Sequence, residues 1–64
     1  MKGLSLKAAR VNAGLTQKEA AVAINVTERT LHSWENGVTY PTVDKLLLLC
    51  GLYGVQIGDI FISS

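Results

Sequence analysis

Apolar side chains recur along the chain at three- and four-residue intervals, and the interruptions fall on residues suited to starting or stopping a helix. Leu6, Ala9, Arg10 and Ala13 share one face of a first helix running from about Leu4 to Ala13, with Gly14 as a left-handed stop. Thr16 and Glu19 have capping-box spacing and open an alanine-rich second helix, Gln17 to Ile24. Asn25 breaks that pattern and tolerates the left-handed conformation of a tight turn. Thr27 then caps a third helix ending at Gly37, with Val26 and Leu31 forming a hydrophobic staple and Trp34 facing inward. Pro41 and Thr42 open a fourth helix, in which Val43, Leu46, Leu49, Cys50 and Tyr53 share a face and Gly54 is the stop. A short fifth helix, Ile57 to Phe61, brings Ile57, Ile60 and Phe61 to the same core, although Gly58 makes it weak alone. No window alternates apolar and polar residues for long, so the expected fold is all-α with five helices.

The third helix is the most polar, and its polarity has a direction. With Val26, Leu31 and Trp34 turned inward, Glu28, Arg29, His32 and Ser33 form the outer face, with Asn36 at its far end. On one surface helix, water alone accounts for such a face. The preceding capped helix and the short turn change that, because together they make a helix-turn-helix, whose second helix can enter the DNA major groove.

Charge distribution sharpens this picture more than net charge does. The formal total is +1, yet five cations oppose two anions through His32, and one cation opposes three anions from Ser33 onward. An anionic partner prefers the N-terminal half. At 64 residues with 48% apolar content, the chain is expected to be a single domain over residues 1–64. One cysteine, Cys50, cannot close an internal disulfide, and with a single histidine it is too little for a zinc site; a reducing cytoplasm is the expected location. The N-terminus does not resemble a signal peptide. The apolar run from Leu46 to Val55 is about half of the roughly 20 residues a membrane span requires. No catalytic triad, metal site or phosphate loop is legible, so neither an enzyme nor a cofactor is expected.

The segment LTQKEAAVAINVTERTLHSWENG, residues 15–37, resembles the Cro and cI phage-repressor type of helix-turn-helix domain, the xenobiotic-response-element family, and the likeness continues through YPTVDKLLLLCGLYGVQIGDIF to Phe61. The resemblance implies a five-helix lambda-repressor-like fold and a sequence-specific transcriptional regulator, of repressor type, that binds double-stranded operator DNA. It implies DNA contacts by Thr16 and Gln17 at the start of the second helix. It further implies base or nearby phosphate contacts by Thr27, Glu28, Arg29, His32 and Ser33, and a phosphate clamp at Asn36 and the backbone through Thr39. Arg29 suits guanine and Glu28 suits the cytosine amino group, while a local Glu28–His32 interaction competes with base contact by His32. Arg10 and Glu35 correspond to a pair that bridges the first helix to the end of the third.

Several positions depart from the family pattern. Asn25 stands where a turn glycine is usual, Gln56 is a poor helix cap, and Gly51 interrupts the fourth helix. Leu48 and Leu52 are expected outside and, with Ile62, to form an apolar interface. A homodimer through that patch is the expected assembly, since one such domain reads few base pairs. The same patch leaves an alternative open: a repressor-like fold that binds another regulator, as an antirepressor or accessory factor.

Overall fold

The computed structural model describes residues 3–60, which form α1 (Leu6–Asn12), α2 (Gln17–Ala23), α3 (Glu28–Glu35) and α4 (Val43–Tyr53), followed by one 3-10 turn at Ile57–Asp59. Among the described residues four α-helices form, not the five expected. Among the described residues no strand forms; a single parallel bridge joins Leu4 to Ile60.

Each helix begins where a hydroxyl can satisfy its first free amides. Ser5 Oγ accepts from Ala8 N at 3.0 Å, which sets the start of α1 at Leu6 and leaves Leu4 extended, its N–H donating to the Asp59 carbonyl. Thr16 and Glu19 form the expected capping box, at 3.0 Å for Glu19 N to Thr16 Oγ1 and 2.8 Å for Thr16 N to Glu19 Oε1. Thr27 and Thr42 cap α3 and α4 by their hydroxyls alone, accepting from Thr30 N and Lys45 N. Asn25 takes the left-handed conformation, φ 61°. There its N–H reaches Val22 O and the next N–H reaches Ala21 O, closing the end of α2 with the paired bonds of a Schellman motif. Lys45 Nζ also donates to Ile24 O at 3.4 Å, a cation at the negative end of α2.

α3 packs chiefly on α2 and also meets α1, while α4 packs on α1, on α2 and on the 3-10 turn. Ala20 and Ala21 are fully buried, so α2 approaches its neighbours closely. Leu31 has no exposed surface, which is worth about 1.5–3 kcal/mol relative to leaving it in water. Leu6, Ala9, Ile24, Leu49 and Tyr53 complete the core, with Val26, Trp34, Leu46 and Ile60 packed partly against it.

Several side chains lie elsewhere than their spacing predicts. Ala13 is exposed because α1 stops at Asn12 and Ala13 is its cap. Val43 is 65% exposed, since the first residue of α4 projects beyond the core. Leu52 is half-buried and packs on the core, so it is not an outward partner of Leu48. Gly51 does not interrupt α4, which runs through it. Ile57 is exposed, and the expected fifth helix is only the one 3-10 turn, held by Gln56 N donating to Asp59 Oδ2 and by the Leu4 bridge. Phe61 and Ile62 lie outside the described residues.

Candidate nucleic-acid interface

A buried ion pair fixes α3 to the body of the domain. Arg10 Nε meets Glu35 Oε2 at 2.7 Å and Arg10 Nη2 meets Oε1 at 3.2 Å, a two-pronged contact from α1 to the last residue of α3. Arg10 Nη1 also donates to Leu15 O at 2.8 Å, so the same guanidinium fastens the loop before α2. The Glu35 side chain is only 2% exposed. Hydrogen bonding to Glu35 raises the arginine pKa above its ordinary value despite the opposing effect of burial. Arg10 and Glu35 thus bridge α1 to the end of α3.

Gln17, at the first position of α2, is turned towards this pair. Its Nε2 donates to Glu35 Oε1 at 2.9 Å and lies 3.5 Å from His32 Nδ1. Half-buried, it links α2 to α3 as well as standing at the edge of the outer face. Sequence spacing gives no sign of this second attachment, because Glu35 is 18 residues away.

Around that anchor, α3 turns its remaining polar side chains outward. Glu28, Arg29 and His32 are exposed, opposite the fully buried Leu31, and Ser33 is half-buried beside them. Among the described residues neither Glu28 nor Arg29 has a hydrogen-bond or ion-pair partner, and the expected Glu28–His32 interaction does not form. His32 instead lies between two amides: its Nε2 is 3.2 Å from Asn36 Nδ2, opposite the Gln17 contact. Asn36 Nδ2 also donates to His32 O at 2.8 Å, and Asn36 caps the helix.

The hydroxyls and loop amides are less free than the side-chain face. Thr16 and Thr27 are exposed, but each hydroxyl already accepts a capping amide, and Thr27 Oγ1 donates to Thr30 Oγ1 at 2.8 Å. After α3, Gly37 is left-handed at φ 74°, and the N–H groups of Val38 and Thr39 turn back to Ser33 O. The backbone part of the expected Asn36–Thr39 clamp is therefore occupied internally, which leaves the exposed side chains of Asn36 and Thr39 on that edge.

Residues 6–60 match the helix-turn-helix family. The chain belongs to that family. Its Cro and cI type is the one carried by the motif around α2 and α3. This helix-turn-helix domain is similar to the HTH-type transcriptional regulator ImmR of Bacillus subtilis (strain 168), with 45% identity over 54 residues, or 84% of the chain. The chain spans 42% of that relative's length. No solved structure shows a significant match.

Among the described residues no three metal-ligating side chains gather, and no helix is long and apolar enough to cross a membrane. Cys50 is buried, and burial followed by the charge of Asp59 raises its thiol pKa, so the reactive thiolate is disfavoured. On α4, Leu47 and Leu48 are each 51% exposed, as is the larger part of Val43 at its start. Val43 and Leu47 were missed as surface residues, although their four-residue spacing places them on one stripe.

Proposed function

We propose that this helix-turn-helix domain belongs to a transcriptional regulator, of repressor type, that binds double-stranded operator DNA with α3 in the major groove. The observation that carries the reading is the free, exposed pair Glu28 and Arg29 on a helix whose opposite side is locked by Leu31 and by the Arg10–Glu35 bridge. Eight helical residues span about 12 Å, comparable with the width of the major groove. Arg29 presents two parallel donors to guanine, and Glu28 accepts from a cytosine amino group. Thr27, His32 and Ser33 flank them, while Thr16, Gln17, Asn36 and Thr39 stand where side chains meet phosphate. The name of the ImmR relative, a transcriptional regulator, supports this assignment.

Assembly follows from the small number of base pairs one domain can read. A homodimer through Leu48, extended by Leu47 and by Ile62 beyond the described residues, would present two copies of α3 to successive turns of DNA. Those exposed leucines also favour the second reading, an accessory factor that uses α4 to bind another regulator.

Salt and sequence dependence separate the two. Selection from random duplexes, followed by titration of the enriched DNA at several salt concentrations, should give a log-log slope near −0.9 per phosphate neutralised. Arg29→Ala should relax preference at one base pair. If no duplex is enriched over background, the DNA reading fails and the accessory-factor reading replaces it.

A further inference from the structure

We infer that Gln17, anchored by Glu35, is a positioning residue that governs which nitrogen of His32 carries the ring hydrogen, and so which acceptor α3 recognises. The recognition half of this inference rests on the DNA reading above; the positioning half concerns the free protein alone.

The argument begins with two groups that can only accept. Glu35 Oε1 is a carboxylate oxygen, so the Gln17 amide must turn its NH2 towards it, at 2.9 Å. That orientation leaves the second hydrogen of the same NH2 to face His32 Nδ1, at 3.5 Å. On the opposite side the His32 carbonyl likewise accepts from Asn36 Nδ2, at 2.8 Å, and this fixes the Asn36 NH2 beside His32 Nε2, at 3.2 Å. Reversing either amide would set two acceptors against each other and lose the anchoring bond.

The imidazole thus lies between two anchored donors. A neutral imidazole has one acceptor nitrogen and one N–H, so it satisfies one amide and turns an N–H towards the other, which cannot accept it. Donation from Gln17 favours hydrogen on Nε2; donation from Asn36 favours hydrogen on Nδ1. In either form one ring N–H has no acceptor among the described residues. Because His32 is exposed, a turn of the ring away from that amide brings the N–H to purine N7, guanine O6 or thymine O4, whereas the amino groups of adenine and cytosine cannot accept it. Gln17 and Asn36 determine from which end of the ring it is offered.

The test starts without DNA. Ring 15N shifts of His32, recorded in alkaline buffer, report the ratio of the two neutral forms. Gln17→Ala, which leaves the Arg10–Glu35 pair in place, should shift the ratio about two- to tenfold towards hydrogen on Nδ1. Asn36→Ala should shift it towards hydrogen on Nε2. Opposite shifts support the inference; no shift, or shifts in one direction, overturn it. With an enriched duplex, Gln17→Ala and His32→Ala should relax preference at the same base pair, and the double variant should add nothing there. A loss from Gln17→Ala that is uniform over all sequences makes Gln17 a phosphate contact only and overturns the recognition half. If wild-type protein binds no duplex, the DNA reading and the recognition half fail together, while the ring measurement still decides the positioning half.

Discussion

Replacing Tyr53 with phenylalanine should stabilise this domain, although tyrosine is buried in its core. The side chain is only 7% exposed, and its hydroxyl is buried with no hydrogen-bond partner among the described residues. A buried polar group left unpaired costs about 1–3 kcal/mol, whereas the ring's apolar contacts survive the substitution. Allowing for the small void left by the oxygen, Tyr53→Phe should gain about 1 kcal/mol, or about 4–8 °C in Tm for a chain of this size. The same hydroxyl carries a signature in pH. Burial first, and the negative charge of Glu35 second, push its pKa from 10 up to about 12, against a smaller opposing effect of Arg10. The folded chain therefore keeps a proton that the unfolded chain sheds. The associated stability is fully present below about pH 10 and is lost as pH rises through about 12, a change of about 2–3 kcal/mol. Urea unfolding of both proteins at neutral pH and across this alkaline interval, followed by circular dichroism, measures both effects. The variant's advantage should widen as pH rises. A variant less stable than wild type at neutral pH, or an advantage unchanged between pH 10 and 12, would refute the account of an orphaned hydroxyl.

Other substitutions probe the remaining joints. Glu35→Ala strands the buried Arg10 and should cost about 3–5 kcal/mol in urea unfolding, whereas the joint Arg10→Met and Glu35→Leu replacement should recover most of that loss. Arg29→Ala removes a side chain with no partner in the chain, so stability should stay within about 0.5 kcal/mol of wild type. Its affinity for the selected duplex should fall by about 1–3 kcal/mol, with the change concentrated at one base pair. Leu48→Glu should abolish self-association in sedimentation without lowering Tm appreciably, while Leu52→Glu should lower Tm because Leu52 packs on the core.

Local chemistry made most of the helical framework legible. The Thr16–Glu19 box, the Thr27 cap and the turn at Asn25 are each set by a few neighbouring residues, and each forms where expected. Periodicity was less informative in α4. The spacing there picks out Leu46, Leu49, Cys50 and Tyr53 as inward and Leu48 as outward, as found, but it misplaces Val43, which is exposed, and Leu52, which packs on the core. The end of the domain depends on contacts that no local pattern encodes. Ile57 to Asp59 make one 3-10 turn, and Ile60 pairs with Leu4 across nearly the whole chain. At the outer face, side-chain identity gave the candidate residues, but not their attachments. Gln17 has the same sequence signature whether it faces solvent or Glu35.

Glu35 joins the folding of the domain to the proposed recognition surface. Its carboxylate receives the guanidinium of α1 and the amide of α2, and its charge raises the pKa of the α4 phenol. The two oxygens divide these tasks unequally: Oε2 holds only Arg10, while Oε1 is shared by Arg10 Nη2, at 3.2 Å, and Gln17 Nε2, at 2.9 Å. The shorter bond goes to Gln17, so the amide beside His32 is held by an oxygen that the core ion pair already fixes in place. Loss of Glu35 must therefore act twice, by stranding a buried cation and by releasing Gln17. Loss of Gln17 acts once, because Arg10 keeps both of its contacts. The contrast between Glu35→Ala and Gln17→Ala consequently separates the energy that holds α3 on the domain from the geometry of its outward face.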